Sequence, residues 1–547
     1  MRKYTLRHVM LLGFVLTTIF TACKKDKNRP EDPVDDETNV KQTPTTDRRA
    51  LTNDSLFLYA KQIYYWNTTL PGYDAYEPRK YTSKGNDLAN YDDNLLNIAR
   101  AAEAPEYVAA GPYLKYSYIE DIATRNPNAL VAKPNSSASV DLEGNGNDLG
   151  IRPIIYTTSN TNNEYLLFIT AVYPGSDADK KGMERGWAIK KINGQAIGAN
   201  YQTEASIVEN GMNASTVRLE GIKYLGSAQV GTFDVTISKT VYKSSPVLTS
   251  SVIDFGGKKI GYLAYARFSN TANSVAALNE AFSEFASAGI SGLVIDLRYN
   301  GGGYVSTAEH LVNLIAPSTA SGVMYKEYFN ETLRNGKATI MKNQPILDDN
   351  EKVQYSSNGR IINYFDDVDY SVAENTNYFR KAGEVKNVTN VVFLVTGNTA
   401  SASELVINSL KPKMNVKLVG ERTYGKPIGF FPIRLENKYD VYYSLFETKN
   451  ALDQGGYFEG MVPDFEETAT SALFDDPRYD FGDKNEPYLA TALSVFGSSA
   501  ASSSRSSASV MSVNGKRVSF NSDNEIKPVK GHSEFVGMIE DRVRRKK

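Results

Sequence analysis

The sequence predicts a multidomain α/β protein, and three observations carry that reading. The chain has 547 residues, more than one hydrophobic core usually fills. Two stretches, "SGLVIDLRYNGGG" and "VVFLVTGNTASASELVINSL", run from a continuous apolar strand into a small-residue turn and then a helical pattern, as the strands of a covered, largely parallel sheet do. Between residues 147 and 245, short β-type runs alternate with Pro-Gly and Asn-Gly turns, which marks a separate β unit. Hydrophobic residues make up 41% and charged residues 23% of the chain, a globular composition. Lys plus Arg number 61 against 63 Asp plus Glu, so no basic surface for nucleic acid is expected.

The amino terminus, "MRKYTLRHVMLLGFVLTTIFTAC", places Arg2, Lys3 and Arg7 before an apolar run to Ala22. That order of regions is a secretory signal over residues 1–22, and the run is short for a bilayer span. Cys23 is the single cysteine, which excludes a disulfide within the monomer. The segment resembles a bacterial lipobox, with Phe20 where Leu is usual. The resemblance implies acylation at Cys23 and a lipid-anchored membrane protein of a bacterial cell envelope, facing the periplasm or the cell surface. An ordinary signal peptide with a chance cysteine is the alternative. Residues 23–50 are charged and Pro-bearing, as a flexible linker is.

Leu56, Tyr59, Ile63 and Trp66 recur at helical spacing, so residues 51–138 are read as a small helical domain. Residues 139–245 form the β unit and 246–497 the α/β core. Within that core the polar, Asn- and Tyr-rich stretch 319–386 is read as an insertion able to cover a site. Residues 498–547 are a Ser-rich linker and a tail ending "EDRVRRKK", expected to be solvated.

The stretch "YLLFITAVYPGSDADKKGMERGWAIKKINGQAI" resembles a PDZ domain, through Gly182-Met183 and Gly186 to Gly194, with Trp187 where Asp is usual. The resemblance implies that Leu149, Gly150 and Ile151 form the backbone nest for a peptide carboxylate, beside a sheet edge that a peptide extends.

Ser401 and Glu404 precede an apolar run, the pattern of a helix capping box; the competing reading makes Ser401 a nucleophile at a strand-to-helix turn. A nucleophilic serine needs a base. Of the three histidines, His8 lies in the signal, His532 in the tail, and His310 reads as a packed helix residue. A buried lysine is the other option, because desolvation disfavours its ammonium form, and Lys426 stands in the Gly-bearing loop "GERTYGKP". "GNTASASEL", "GERTYGKP" and "GLVIDLRYNGGG" together resemble the carboxy-terminal processing (tail-specific) proteases over residues 149–495. The resemblance implies a core of the ClpP/crotonase-like type and a serine endopeptidase with a Ser401/Lys426 dyad. Its oxyanion donors would be Gly302, Gly303 and Ala402, with Asp296 and Arg298 bracing the loop and Glu404 capping the helix. It implies peptide or unfolded protein substrates, no cofactor and no metal. Ser403 is the second candidate nucleophile. Two departures stand out: Phe430 replaces a Gln that orients the amine, and Gly301 replaces a Pro before the paired glycines. A peptide-binding scaffold without turnover, and a hydrolase of non-peptide esters or amides, are the rival readings.

Overall fold

The computed structural model describes residues 43–123, 140–157, 164–348, 351–468 and 473–497, and tail residues 511–513, 516–518, 527–529, 536–540, 542 and 544–546. The expected signal, Cys23, most of the linker and residues 498–510 lie outside the described residues. No described helix is long and apolar enough to cross a membrane.

The core is a six-stranded sheet. Its order is Val247–Phe255, β1 (Lys258–Tyr265), β2 (Gly292–Asp296), β3 (Asn390–Val395), β4 (Asn415–Gly420) and Phe465–Glu466. The first pair is antiparallel and every later pair parallel. β2 is buried along its whole length, which explains its unbroken apolar run: both faces are covered. One face packs helices α1 (Thr271–Ala288), α2 (Val305–Ile315) and α3 (Ala402–Leu410), the other the Pro487–Ser494 helix. Because β2 and β3 are parallel neighbours, the turns that follow them open at one edge of the sheet, where α/β folds place their sites.

The helices Arg48–Ile63 and Asp87–Ala101 do not bury a core of their own. Leu56, Phe57, Tyr91 and Leu95 share one apolar cluster with Phe329, Phe430, Val441 and Phe446, and Tyr118–Asp121 pairs with Tyr439–Tyr442. The amino-terminal segment is thus built into the core. The stretch 319–386 is likewise no appendage: Val323–Phe329 is a central strand, paired on one side with Thr376–Tyr378 and on the other with Phe446–Asn450. Its polar composition hid the alternating burial of that strand.

The β unit is a sheet of Ile151–Thr157, Tyr165–Val172, Trp187–Ile192, Thr216–Leu225 and Ala228–Ser238, closed by the helix Tyr201–Met212. Its core includes Ile155, Leu167, Ile189, Val208 and Val529.

The expectation of a solvated tail is corrected. Lys527–Pro528 pairs antiparallel with Ile154 and Ile155, and Gly537–Ile539 pairs parallel with Gly302–Tyr304. Met538 is fully buried. The cause is the short apolar stretch Val536, Met538 and Ile539 ahead of the charged terminus, which has burial to gain on an open sheet edge.

Candidate active site

Ser401 sits between β3 and α3 with φ 59° and ψ −107°. A non-glycine residue rarely adopts a positive φ, and such strain persists only where the surroundings impose it. Ser401 is fully buried, and its Oγ has no hydrogen-bond partner. A serine serving only as a cap would spend its hydroxyl on the helix N–H groups; Ser401 and Glu404 have the arrangement of a capping box, yet the Oγ completes no hydrogen bond among the described residues.

The capping is done by Glu404, and it reaches further than a cap. Glu404 Oε2 accepts the Ser401 N–H at 2.8 Å and the Lys426 N–H at 2.7 Å. Its Oε1 accepts from Thr423 Oγ1 at 2.5 Å and from the Gly425 N–H at 2.8 Å. One buried carboxyl therefore ties the serine turn to the lysine loop. Burial pushes the Glu404 carboxyl up, while these donors favour its charged form.

Lys426 is buried, and among the described residues no carboxylate forms an ion pair with its ammonium. Its Nζ donates at 3.4 Å to the backbone carbonyls of Tyr116 and Val536. Burial brings its pKa down to about 7, with Glu106 and Glu404 opposing that fall. The Nζ stands 4.4 Å from the Phe430 ring centroid and 5.7 Å from that of Tyr116. An aromatic face and a carbonyl from the amino-terminal segment thus surround the amine, with Phe430 at the position expected of Gln. Tyr116 OH in turn donates to Gly425 O. Sequence reasoning missed Tyr116, and no local pattern marks it. It also missed Glu106, fully buried and hydrogen-bonded to Tyr64, Ser117 and Ser444.

The glycine turn runs beside Ser401. Gly302 and Gly303 have φ of 111° and 135°, a region that side chains rarely enter. The Gly302 N–H donates to Asn300 Oδ1 at 2.9 Å, which removes it from the oxyanion role expected of it. A Cβ on Gly302 would stand 2.2 Å from Gly537 O and 3.1 Å from the Ala402 nitrogen, so the missing side chain is the room that a peptide carbonyl fills beside Ala402. Ala402 begins α3, and its N–H has no partner within the helix. In the parallel ladder the Gly303 N–H faces the same Gly537 carbonyl.

The other candidates resolve simply. Ser403 Oγ donates to Asn300 O at 2.9 Å and so holds the glycine turn. Arg298 pairs with Asp296 at 2.9 Å, Glu486 at 3.0 Å and Asp475 at 2.7 Å, bracing the same turn from below. His310 Nε2 meets Asn279 Oδ1 at 2.8 Å on the outer helices. In the β unit, Leu149 is buried, the Gly150 N–H bonds Asp148 Oδ1 at 2.8 Å with φ 82°, and Ile151 pairs with Val172. The tail meets that strand three residues further on, at Ile154. Among the described residues, no cluster of His, Cys, Asp or Glu is set to hold a metal ion.

Residues 259–466 match Peptidase family S41. The carboxy-terminal processing protease CtpA of Bacillus subtilis is 26% identical over 48% of this chain and 44% of its own length. The chloroplastic C-terminal processing peptidase of Tetradesmus obliquus is 26% identical over 46% of each chain. The chain thus spans just under half the length of these relatives. A Bacteroides fragilis protein assigned to the S41 proteases superimposes with a TM-score of 0.53 at 21% identity, over 84% of this chain and 98% of its own. Common fold, spaced motifs and family match converge on one statement: residues 259–466 are similar to the peptidase family S41 domain.

Proposed function

We propose that the chain is a serine endopeptidase in which Ser401 attacks a scissile peptide carbonyl and Lys426 is the general base. The observation that carries this reading is a strained, buried serine with an unengaged hydroxyl, tied through one carboxylate to a buried lysine brought down to about 7. Lys426 takes the Ser401 proton as the Oγ–carbon bond forms and returns it to the leaving amine; water then releases the acyl group by the same route. The Ala402 and Gly303 N–H groups receive the oxyanion. The β unit recruits extended peptide ends at the Leu149–Gly150–Ile151 turn and the adjoining strand, in the manner of a PDZ domain. Acylation at Cys23 tethers the enzyme to an envelope membrane, where unfolded or carboxy-terminal segments of proteins are its substrates.

The test compares fragments that the chain and its Ser401→Ala variant make from an unfolded protein, read by mass spectrometry. Fragments that vanish with Ser401→Ala, and equally with Lys426→Ala, are expected. Undiminished cleavage in either variant would overturn the dyad. Peptide binding with no fragments from any form would instead identify a scaffold.

A further inference from the structure

The tail does more than cover the cleft. It enters along the β unit, where Lys527–Pro528 extends the sheet at Ile154 and Ile155 and Val529 is buried in that domain's core. It then crosses the glycine turn as Gly537–Ile539. The Gly537 N–H donates to Gly301 O at 3.0 Å, the Phe430 N–H to Met538 O at 3.2 Å, and the Glu540 N–H to Phe430 O at 3.2 Å. It is therefore a strand inserted between the glycine turn and the Phe430 segment, with backbone bonds on both sides and its Val536 carbonyl on Lys426 Nζ. This is how an extended peptide substrate would lie.

Beyond the strand, Arg542 lies against an acidic wall. Its guanidinium donates to Glu309 Oε2 at 2.6 Å and Glu309 Oε1 at 3.0 Å, a two-pronged pairing, and to Tyr325 OH at 3.4 Å. Tyr325 OH itself donates to Glu309 Oε1 at 2.6 Å. Glu327, 1% exposed, lies against Glu540 of the tail, which Arg542 binds at 2.9 Å. The half-buried Glu309 carboxylate is thus answered by a guanidinium carried on the tail. A cavity of about 200 Å³ adjoins Ile539, walled by Phe329, Tyr370 and Phe431, so the cleft holds room for a larger apolar side chain before the arginine. Further on, the Asp369 N–H donates to Arg544 O at 2.8 Å and Arg544 donates to Asn377 Oδ1 at 2.5 Å.

We propose that Glu309 and Tyr325 form an acidic subsite of the cleft for an arginine side chain of a bound peptide, and that the chain's own carboxy-terminal segment is its resident occupant. The proposal rests on the reading of Ser401 and Lys426 as a peptidase site, whose cleft this peptide fills. The preferred ligand is an extended peptide with an apolar residue ahead of an arginine, and the resident tail must leave before another such peptide enters.

The test uses the full chain carrying Ser401→Ala throughout and a fluorescent peptide with the sequence of residues 536–547, read by anisotropy. With the native tail the peptide should bind weakly. Adding Arg542→Glu to the chain sets like charge against Glu309 and should tighten binding at least about tenfold by emptying the cleft. On that opened chain, a peptide with Ala in place of its first arginine should bind at least about tenfold more weakly, and Glu309→Ala should erase the difference. Equal binding with the native tail, or indifference to the peptide's arginine, would overturn the proposal. Should Arg542→Glu fail to fold, hydrogen exchange at residues 537–540 decides: Glu309→Gln should strip their protection while Arg542→Lys keeps it, and unchanged protection in Glu309→Gln refutes the subsite. Every arm reads binding without turnover, so a Ser401 chain that cleaves nothing counts against the peptidase reading alone.

Discussion

Glu404 and Glu327 are both buried carboxyls near the cleft, and their surroundings differ completely. Glu404 receives three backbone N–H groups and a threonine hydroxyl. Glu327 receives no backbone N–H among the described residues and shares its site with a second carboxyl, Glu540. Burial and that neighbour push the Glu327 carboxyl well above the ordinary value, while Arg542, against the cost of burial, holds Glu540 below it. A carboxylate closed by fixed backbone donors belongs to the permanent framework. One faced instead by side chains of a separable tail belongs to a binding surface. The difference separates what builds the site from what the site reads.

Breaking the framework should cost most. Glu404→Ala strands four donors and unties the serine turn from the lysine loop, so a loss of about 3 kcal/mol or more in urea unfolding is expected, with kcat falling about a hundredfold or further. A variant of normal stability and activity would show that Glu404 ties nothing together.

Next in size is the pH response of the base. In the proposed dyad Lys426 acts only when neutral, so kcat should rise with pH through about 7 and level off above. The Phe430 ring favours the charged amine, and Phe430→Leu removes that preference, which should move the acidic limb down by about half a unit to one unit. An upward shift would mean that the ring acts only by excluding water.

The smallest effect is expected at Glu327. A group whose folded pKa is raised stabilises the protein at low pH and loses that contribution as pH climbs from its ordinary 4.5 toward the folded value. Glu327→Gln mimics the protonated form, so it should change stability by less than about 1 kcal/mol at low pH and flatten the decline above it. Chemical denaturation at several pH values measures this, and an equally steep decline would place the titrating group elsewhere.

The reach of sequence reasoning follows the same division. β2, β3 and the turns after them were legible because buried strands write continuous apolar runs and the glycine and serine turns break them sharply. Ser401, Lys426 and the bracing by Arg298 followed from spaced motifs. Tyr116 escaped because a backbone carbonyl leaves no trace in residue type. Glu404 read as a local cap because its second set of donors arrives from 21 and 22 residues away. The tail was misjudged because its charged end outweighed three apolar residues. The strand Val323–Phe329 was lost for a related reason, since its alternation sits within a polar stretch.

Lys426 Nζ takes its two acceptors from residues 310 positions earlier and 110 positions later. Contacts so distant in the chain close late, after local elements have formed. A partly folded chain therefore carries its serine and its lysine without the amino-terminal wall that dries the amine, and an exposed lysine stays charged, which on the proposed reading bars it from acting as a base. On that reading the placement of Tyr116 makes chemical competence a report on complete folding, sparing the folding chain and its neighbours from premature attack.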